Sequence, residues 1–290
     1  MNKIRFGVTL PQFTSDPDRF VAGALRAVEE GFDSVWVFDH MWPLGGDREK
    51  PILECWTALA WLAARTDLHV GTLVTRASLR HPALLAKMAA TVADIAPGRT
   101  TIAIGSGDRK NRAENVSYGA PYYKGRTRVR HLISTLEVVQ QYLKSGAATL
   151  DDEFVSIDHL PTSPRSGSLP KVWVGGRSPE LLEVAGRIAD GWNGWGADID
   201  AFAQDAKTVQ EIAADREFEV SWAGQVVLAS SDDDAPAADP TQAIAGGPRT
   251  IRDALSRLID AGATHLIASV PSVHLDDYSA LASVVRGVAH

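Results

Sequence analysis

Apolar and polar positions follow two alternating periods along this chain. Residues 3–10, KIRFGVTL, are β-rich and stop at Pro11. Asp16 and Pro17 then open a helix, as an N-cap residue followed by a first-turn proline does. Val21, Ala24, Leu25 and Val28 fall at i, i+3, i+4 and i+7, which makes one buried stripe, and Gly31 ends it. The next apolar run, SVWVF at 34–38, has no polar face. The alternation continues with helices near 53–66, 82–95 and 125–145, one opening at Ser178-Pro179, and others near 199–214, 248–261 and 277–288. Between them, strands are predicted at 68–75, 100–106, 171–176, 189–195, 218–229 and 264–270.

Strands without a polar face are those buried on both sides of a parallel sheet, and strict βα alternation implies such a sheet. Eight βα units in 290 residues predict an α/β chain closed as a single (β/α)8 TIM barrel, with insertions after strands 4 and 5. A doubly wound sheet is the alternative. The excursions fall at 107–124 and at 146–170, the latter carrying Pro161, Pro164 and Pro170 and read as irregular. No linker-like change of composition divides residues 1–290, so the expectation is one domain.

Composition narrows the class. A net charge of −7 repels nucleic acid and anionic membrane, and 45% hydrophobic content suits a large buried core. No charged-then-apolar leader opens the sequence and no apolar run is long enough to span a bilayer, so a cytoplasmic protein is expected. The single cysteine, Cys55, sits in a helical pattern and reads as a small core residue. The histidines form no compact metal-binding pair, no GxSxG or Walker motif occurs, and the DDD at 232–234 reads as a solvated loop.

In a barrel of this kind the active site lies at the C-terminal ends of the strands. The second strand ends in Asp39 and His40; the third in Thr72, Leu73, Val74, Thr75 and Arg76, with Arg80 at the start of the next helix. The fourth ends in Ser106, Gly107, Asp108 and Asn111, the fifth in Gly175, Gly176, Arg177 and Ser178, and the sixth around Trp192, Asn193 and Trp195. One histidine at a strand end is ordinarily a hydrogen-bonded cap. Five strand ends that aim polar or aromatic groups at one mouth favour chemistry at His40. In Gly175-Gly176-Arg177-Ser178, glycines let amides approach an anion and the following helix adds its dipole, although a plain strand–helix turn uses the same residues.

Taken in order, FGVTLPQF, GFDSVWVFDHMW, VGTLVT, RHPALLAKMAATVADIAPGR, IAIGSGD and VWVGGRSPELLEVAGRIADGWN resemble the bacterial-luciferase-like superfamily of flavin and deazaflavin oxidoreductases. The pattern is most similar to the branch that uses coenzyme F420. The resemblance implies a cofactor ring lying across the strand ends. Asp39 and His40 would match the acidic–histidine pair at that ring, with His40 or Asp108 supplying the proton. Leu73–Val74, preceded by Thr72, would match a bulge with a non-proline cis peptide that backs the ring. Ser106, Gly107, Asp108 and Asn111 would lie near the ring edge, and Gly175, Gly176, Arg177 and Ser178 would form the phosphate loop.

Two positions depart from members that oxidise sugar phosphates: Leu44 stands where they have Trp, and Asp108 where they have Glu. The implied activity is hydride transfer between F420 and a small organic substrate. The alternatives are an FMN-dependent monooxygenase fed by a separate flavin reductase, and a non-catalytic flavin-binding protein. A basic cluster around the fourth strand, Arg109, Lys110, Arg112, Lys124 and Arg126, favours F420, whose tail carries a phosphate and several glutamates, although a solvated basic loop uses the same residues. No nucleic-acid or membrane partner is expected, and a homodimer is left open. The loops at 40–52, 107–124 and 230–247 would set the substrate.

Overall fold

The computed structural model describes residues 3–43, 49–160, 168–234, 236–270 and 275–288. Its first half runs β1 (Arg5–Thr9), α1 (Pro17–Glu29), β2 (Ser34–Val37), α2 (Cys55–Arg65), β3 (His69–Arg76), α3 (Pro82–Ile95), β4 (Thr100–Gly105), α4 (Arg112–Ser117) and α5 (Gly125–Ser145). A hairpin follows, β5 (Ala148–Asp151) and β6 (Ser156–Leu160). The second half runs β7 (Lys171–Gly175), α6 (Pro179–Ile188), β8 (Gly191–Trp195), α7 (Ile199–Ala213), β9 (Glu219–Leu228), β10 (Ala243–Gly246), α8 (Pro248–Asp260), β11 (His265–Ser269) and α9 (Asp276–Val285).

Strands β9, β11, β1, β2, β3, β4, β7 and β8 pair in that order, all in parallel, and β8 returns to β9. This is the closed (β/α)8 barrel that the alternation predicts. Helix starts follow the local chemistry. The Asp16 carboxylate accepts from the Asp18 amide ahead of Pro17, Ser178 Oγ accepts from the Leu181 amide, and Asp198 accepts from the Ala201 amide. No described helix is long and apolar enough to cross a membrane.

The barrel interior is packed in layers. Trp36, Leu73, Ala103, Trp173, Ala223 and Ile267 form an inner apolar cluster, with Trp36 and Trp173 stacked at 5.3 Å. Gly71 on the neighbouring strand makes room for the Trp36 indole, since a Cβ there would come within 2.2 Å of it. Below lies a polar layer. Trp36 Nε1 donates to Ser34 Oγ at 2.9 Å, Ser34 Oγ lies 2.7 Å from His265 Nε2, and His69 Nε2 lies 2.8 Å from Thr101 Oγ1. Burial, helped by the positive charge of Arg5, pushes the His69 imidazole down to about 3 and that of His265 well below its ordinary value. Both are therefore neutral. Glu219 fills the N-terminal end, taking Arg5, Lys171 and the Trp173 Nε1–H. At the other end Phe38 and Val74 are only partly buried, so the interior meets solvent at the strand C-termini.

The excursions contain more structure than the sequence pattern indicates. The 146–170 stretch, expected to be irregular, holds the antiparallel β5–β6 hairpin between α5 and β7, with Ala148, Val155 and Ile157 buried. The 107–124 stretch holds α4. After β9, the polar loop returns as β10 and pairs in parallel with β9 beside the barrel. Within the loop, Asp234 accepts from Ser230 and Ser231 hydroxyls and Asp232 accepts from the Arg249 amide.

Candidate active site

Strand β2 hands Phe38, Asp39 and His40 to the mouth. Asp39 is buried, and its two carboxylate oxygens take a fork from Arg80, at 2.6 Å from Nη1 and 3.0 Å from Nη2. Asp39 Oδ2 also accepts from the Arg76 amide at 3.0 Å, and the Asp39 carbonyl accepts from Arg76 Nε at 3.1 Å. Glu54, which caps α2, holds the far side of the same guanidinium, 2.6 Å from Arg80 Nη2. Burial disfavours the Arg80 charge, but Asp39 outweighs it and holds the guanidinium above its ordinary value. Asp39 therefore ties the end of β3 to that of β2.

The carboxylate at the His40 ring is Glu114, not the adjacent Asp39 of the sequence reading. His40 Nδ1 lies 3.2 Å from Glu114 Oε2, the Met41 amide donates to Glu114 Oε1, and Arg76 Nη2 lies 2.8 Å from Glu114 Oε2. The last contact is an ion pair without hydrogen-bond alignment. Arg76 Nη1 donates to Asn115 Oδ1 at 2.9 Å, and Asn115 Nδ2 reaches Ser78 Oγ and the Pro121 carbonyl. Glu114 is 1% exposed. Burial alone would raise its carboxyl, but the His40 hydrogen bond, the Met41 amide and the Arg76 charge bring it below the ordinary carboxylate value. An ionised Glu114 accepts only, so Nδ1 of His40 carries its proton there and Nε2 is the ring nitrogen left for chemistry.

The remaining sequence candidates divide by what their side chains touch. Thr72 is fully buried and donates Oγ1 to the Ala103 carbonyl at 3.0 Å, so its hydroxyl serves β4 rather than the mouth. The Leu73–Val74 peptide is cis, and the β3–β4 register shifts between Thr72 and Thr75. Gly175 lies under Val74, where a Cβ would come 2.7 Å from Val74 Cγ1. Ser106 Oγ points back to the Gly107 carbonyl, and Gly107 has φ of 73°. Asp108 and Asn111 cap one another: Asn111 Oδ1 accepts from the Asp108 amide, and Asp108 Oδ1 accepts from the Lys110 and Asn111 amides. The Asp108 carboxylate thus holds the turn at the exposed end of β4 and makes no contact with His40 among the described residues. Leu44 lies outside the described residues.

At the fifth barrel strand, Gly176 takes φ of 129°, and a Cβ there would meet Leu181 Cδ1 at 2.4 Å, so the turn needs glycine. Ser178 caps α6. Among the described residues the Arg177 and Ser178 amides have no hydrogen-bond partner. Arg177 is already paired through one nitrogen, its Nε donating to Asp205 Oδ2 on α7 at 2.6 Å.

Aromatic groups complete the mouth. Strands β2 and β8 stand on opposite sides of the ring of strands, yet Phe38 and Trp195 meet edge to face at 5.9 Å. Phe13 stacks on Phe38 at 5.7 Å, and Trp42 lies 6.4 Å from Tyr118, which follows α4. Trp192 faces outward instead, with Nε1 on the Gly176 carbonyl and its ring on Phe202.

A model of the luciferase-like monooxygenase family matches residues 3–265. The chain is 29% identical over 203 residues to an F420-dependent glucose-6-phosphate dehydrogenase of Kineococcus radiotolerans, covering 68% of this chain and 58% of that one. It is 30% identical over 210 residues to an F420-dependent hydroxymycolic acid dehydrogenase of Mycobacterium tuberculosis, covering 72% and 56%. The chain thus spans somewhat over half the length of these curated relatives. The structure of coenzyme F420 dependent tetrahydromethanopterin reductase from Methanopyrus kandleri superposes with a TM-score of 0.81 at 20% identity, over 99% of this chain and 100% of that one. That likeness is one of fold.

Proposed function

Because this chain belongs to the luciferase-like monooxygenase family, we propose that it is an oxidoreductase moving hydride between coenzyme F420 and a small organic substrate. The observation that supports the reading is the exposed positive charge on the loop after β4 and at the start of α5. Arg109, Lys110, Arg112, Lys124 and Arg126 are all exposed on an otherwise acidic protein. The Glu180 carboxyl in the first turn of α6 sits below its ordinary value, through backbone and Ser178 hydrogen bonds and then the charge of Arg126. That places the start of α5 near the α6 N-terminus. A cofactor with one phosphate has little use for so many cations; a phosphate followed by glutamates does.

The residues present fit such a group. Leu73, Val74 and Phe38 give a flat ring an apolar floor, and Gly176 with the Arg177 and Ser178 amides offers an anion donors at a helix N-terminus. When bound, F420 supplies or takes up hydride at C5 of its deazaflavin ring. The protein contributes binding, orientation and a proton. Arg80 and Asp39 fix the strand ends under the ring site, Glu114 fixes the His40 tautomer, and His40 Nε2 gives or takes the proton that accompanies the hydride.

The test is a His40→Ala variant assayed with reduced F420 and a neutral ketone under anaerobic conditions. Turnover should fall about 10²–10⁴-fold, the usual weight of general acid–base catalysis, with cofactor affinity nearly unchanged. Oxygen-dependent hydroxylation supported by reduced FMN would replace this reading with a monooxygenase. Unaltered turnover in the variant would remove His40 from the chemistry.

A further inference from the structure

The charges around His40 are sorted in a way that bears on what enters the mouth. Two guanidiniums, Arg76 and Arg80, stand there, and both are spoken for. Arg80 is shared by Asp39 and Glu54, while Arg76 is held by Glu114, Asn115 and the Asp39 carbonyl. Asp108 is also near enough for its charge to act on Arg76. Setting His40 aside, these two cations face four carboxylates among the described residues, Asp39, Glu54, Glu114 and Asp108, so the balance within this cluster is negative. Arg109, Lys110, Arg112, Lys124 and Arg126 make no ion pair among the described residues, and they are exposed on the loop after β4 and the start of α5, where water and salt screen them.

The rim is apolar. Helix α4, which brings Glu114 to His40, carries Val116 and leads into Tyr118, and these are 59% and 58% exposed. Trp42 lies against Tyr118, and the Tyr118 hydroxyl lies 3.5 Å from the Met41 carbonyl. Across the mouth Trp195 is 37% exposed against Phe38. Exposed aromatic surface beside buried, internally neutralised arginines is suited to a neutral apolar body and unsuited to an anion.

We propose that the mouth selects an uncharged substrate with an apolar body, which packs on Trp42 and Tyr118 and is distinguished from anionic analogues by the carboxylates around Arg76 and Arg80. The proposal rests on the hydride-transfer reading, and it excludes a sugar phosphate of the kind named for the Kineococcus radiotolerans relative.

Acetophenone and benzoate share a ring and differ chiefly in charge at the substituent. Dissociation constants for both are measured by ligand-observed NMR on the wild-type protein, with and without F420 bound. Acetophenone should bind at least tenfold more tightly than benzoate. Tyr118→Ala, at an exposed position that should not disturb folding, should weaken acetophenone binding about threefold or more. Glu114→Gln, which removes one of the negative charges, should narrow the gap between the probes by about fivefold. Benzoate binding as tightly as acetophenone, failure of both to bind, or indifference of acetophenone to Tyr118→Ala would overturn the proposal. If F420 fails to bind while the probes rank as stated, the cofactor reading falls and the pocket reading stands.

Discussion

Replacing Glu114 by Ala withdraws one acceptor from three donors at once: the His40 ring, the Met41 amide and the Arg76 guanidinium. Deleting one partner of a buried ion pair generally costs about 3–5 kcal/mol, because the other charge is stranded. Two features reduce that figure here. Arg76 keeps Asn115 Oδ1 and the Asp39 carbonyl, and water can reach the vacated space past His40, whose side chain is 14% exposed. The expected loss is therefore about 2–3 kcal/mol. Glu114→Gln preserves the volume and an acceptor for Met41, and should lose only about 1 kcal/mol.

Urea unfolding at pH 7 measures both, with the slope unchanged if only stability moves. The pH dependence gives a second check. The folded Glu114 carboxyl lies below its ordinary value of 4.5, so its stabilisation is complete above that pH and is lost as pH falls through the folded value. The difference between wild type and Glu114→Ala should accordingly shrink in acid. A penalty under about 0.5 kcal/mol at neutral pH, the size of an ordinary surface change, would show that the cluster is not a unit. A penalty undiminished in acid would show that Glu114 acts by packing rather than by charge.

Other outcomes follow from the same structure. The buried neutral imidazoles of His69 and His265 have lowered folded values, so their contribution is present above the unfolded value near 6.5 and is lost as pH falls below it. Stability should decline by about 1.4 kcal/mol per pH unit for each of them, and His265→Gln should flatten that slope in acid urea titrations; an unchanged slope would mean His265 does not contribute. Gly176→Ala forces a side chain into a left-handed turn and against Leu181, so it should cost about 1–3 kcal/mol of local strain and weaken F420 binding while Arg177→Ala, already tied to Asp205, changes it less. Equal effects of the two changes, measured by calorimetry, would put the Arg177 guanidinium back on the phosphate.

The barrel was legible because several of its strands are apolar runs and its helices start with recognisable caps, as at Asp16-Pro17 and Ser178-Pro179. The β5–β6 hairpin was not, because its strands are only four and five residues long and flanking prolines mask the alternation. At the site, residues at strand ends could be named from position alone. Their partners could not. Glu114 lies 74 residues from His40 and reaches it only because α4 folds back over β2, and nothing in RKNRAEN distinguishes that carboxylate from a solvated one. Likewise Asp39 is committed to Arg80 across 41 residues, and Arg177 Nε to Asp205 on α7. Type and neighbourhood in sequence predict which groups stand at the mouth; tertiary pairing decides which remain available.

The most direct test of the central claim is equilibrium titration of the apoprotein with F420 and with FMN, followed by tryptophan quenching at low and at physiological salt. If the cations after β4 hold the glutamate tail, F420 should bind at least tenfold more tightly than FMN at low salt. That advantage should shrink as salt screens exposed charges over about 8–10 Å. FMN binding as tightly as F420, or F420 affinity indifferent to salt, would contradict it.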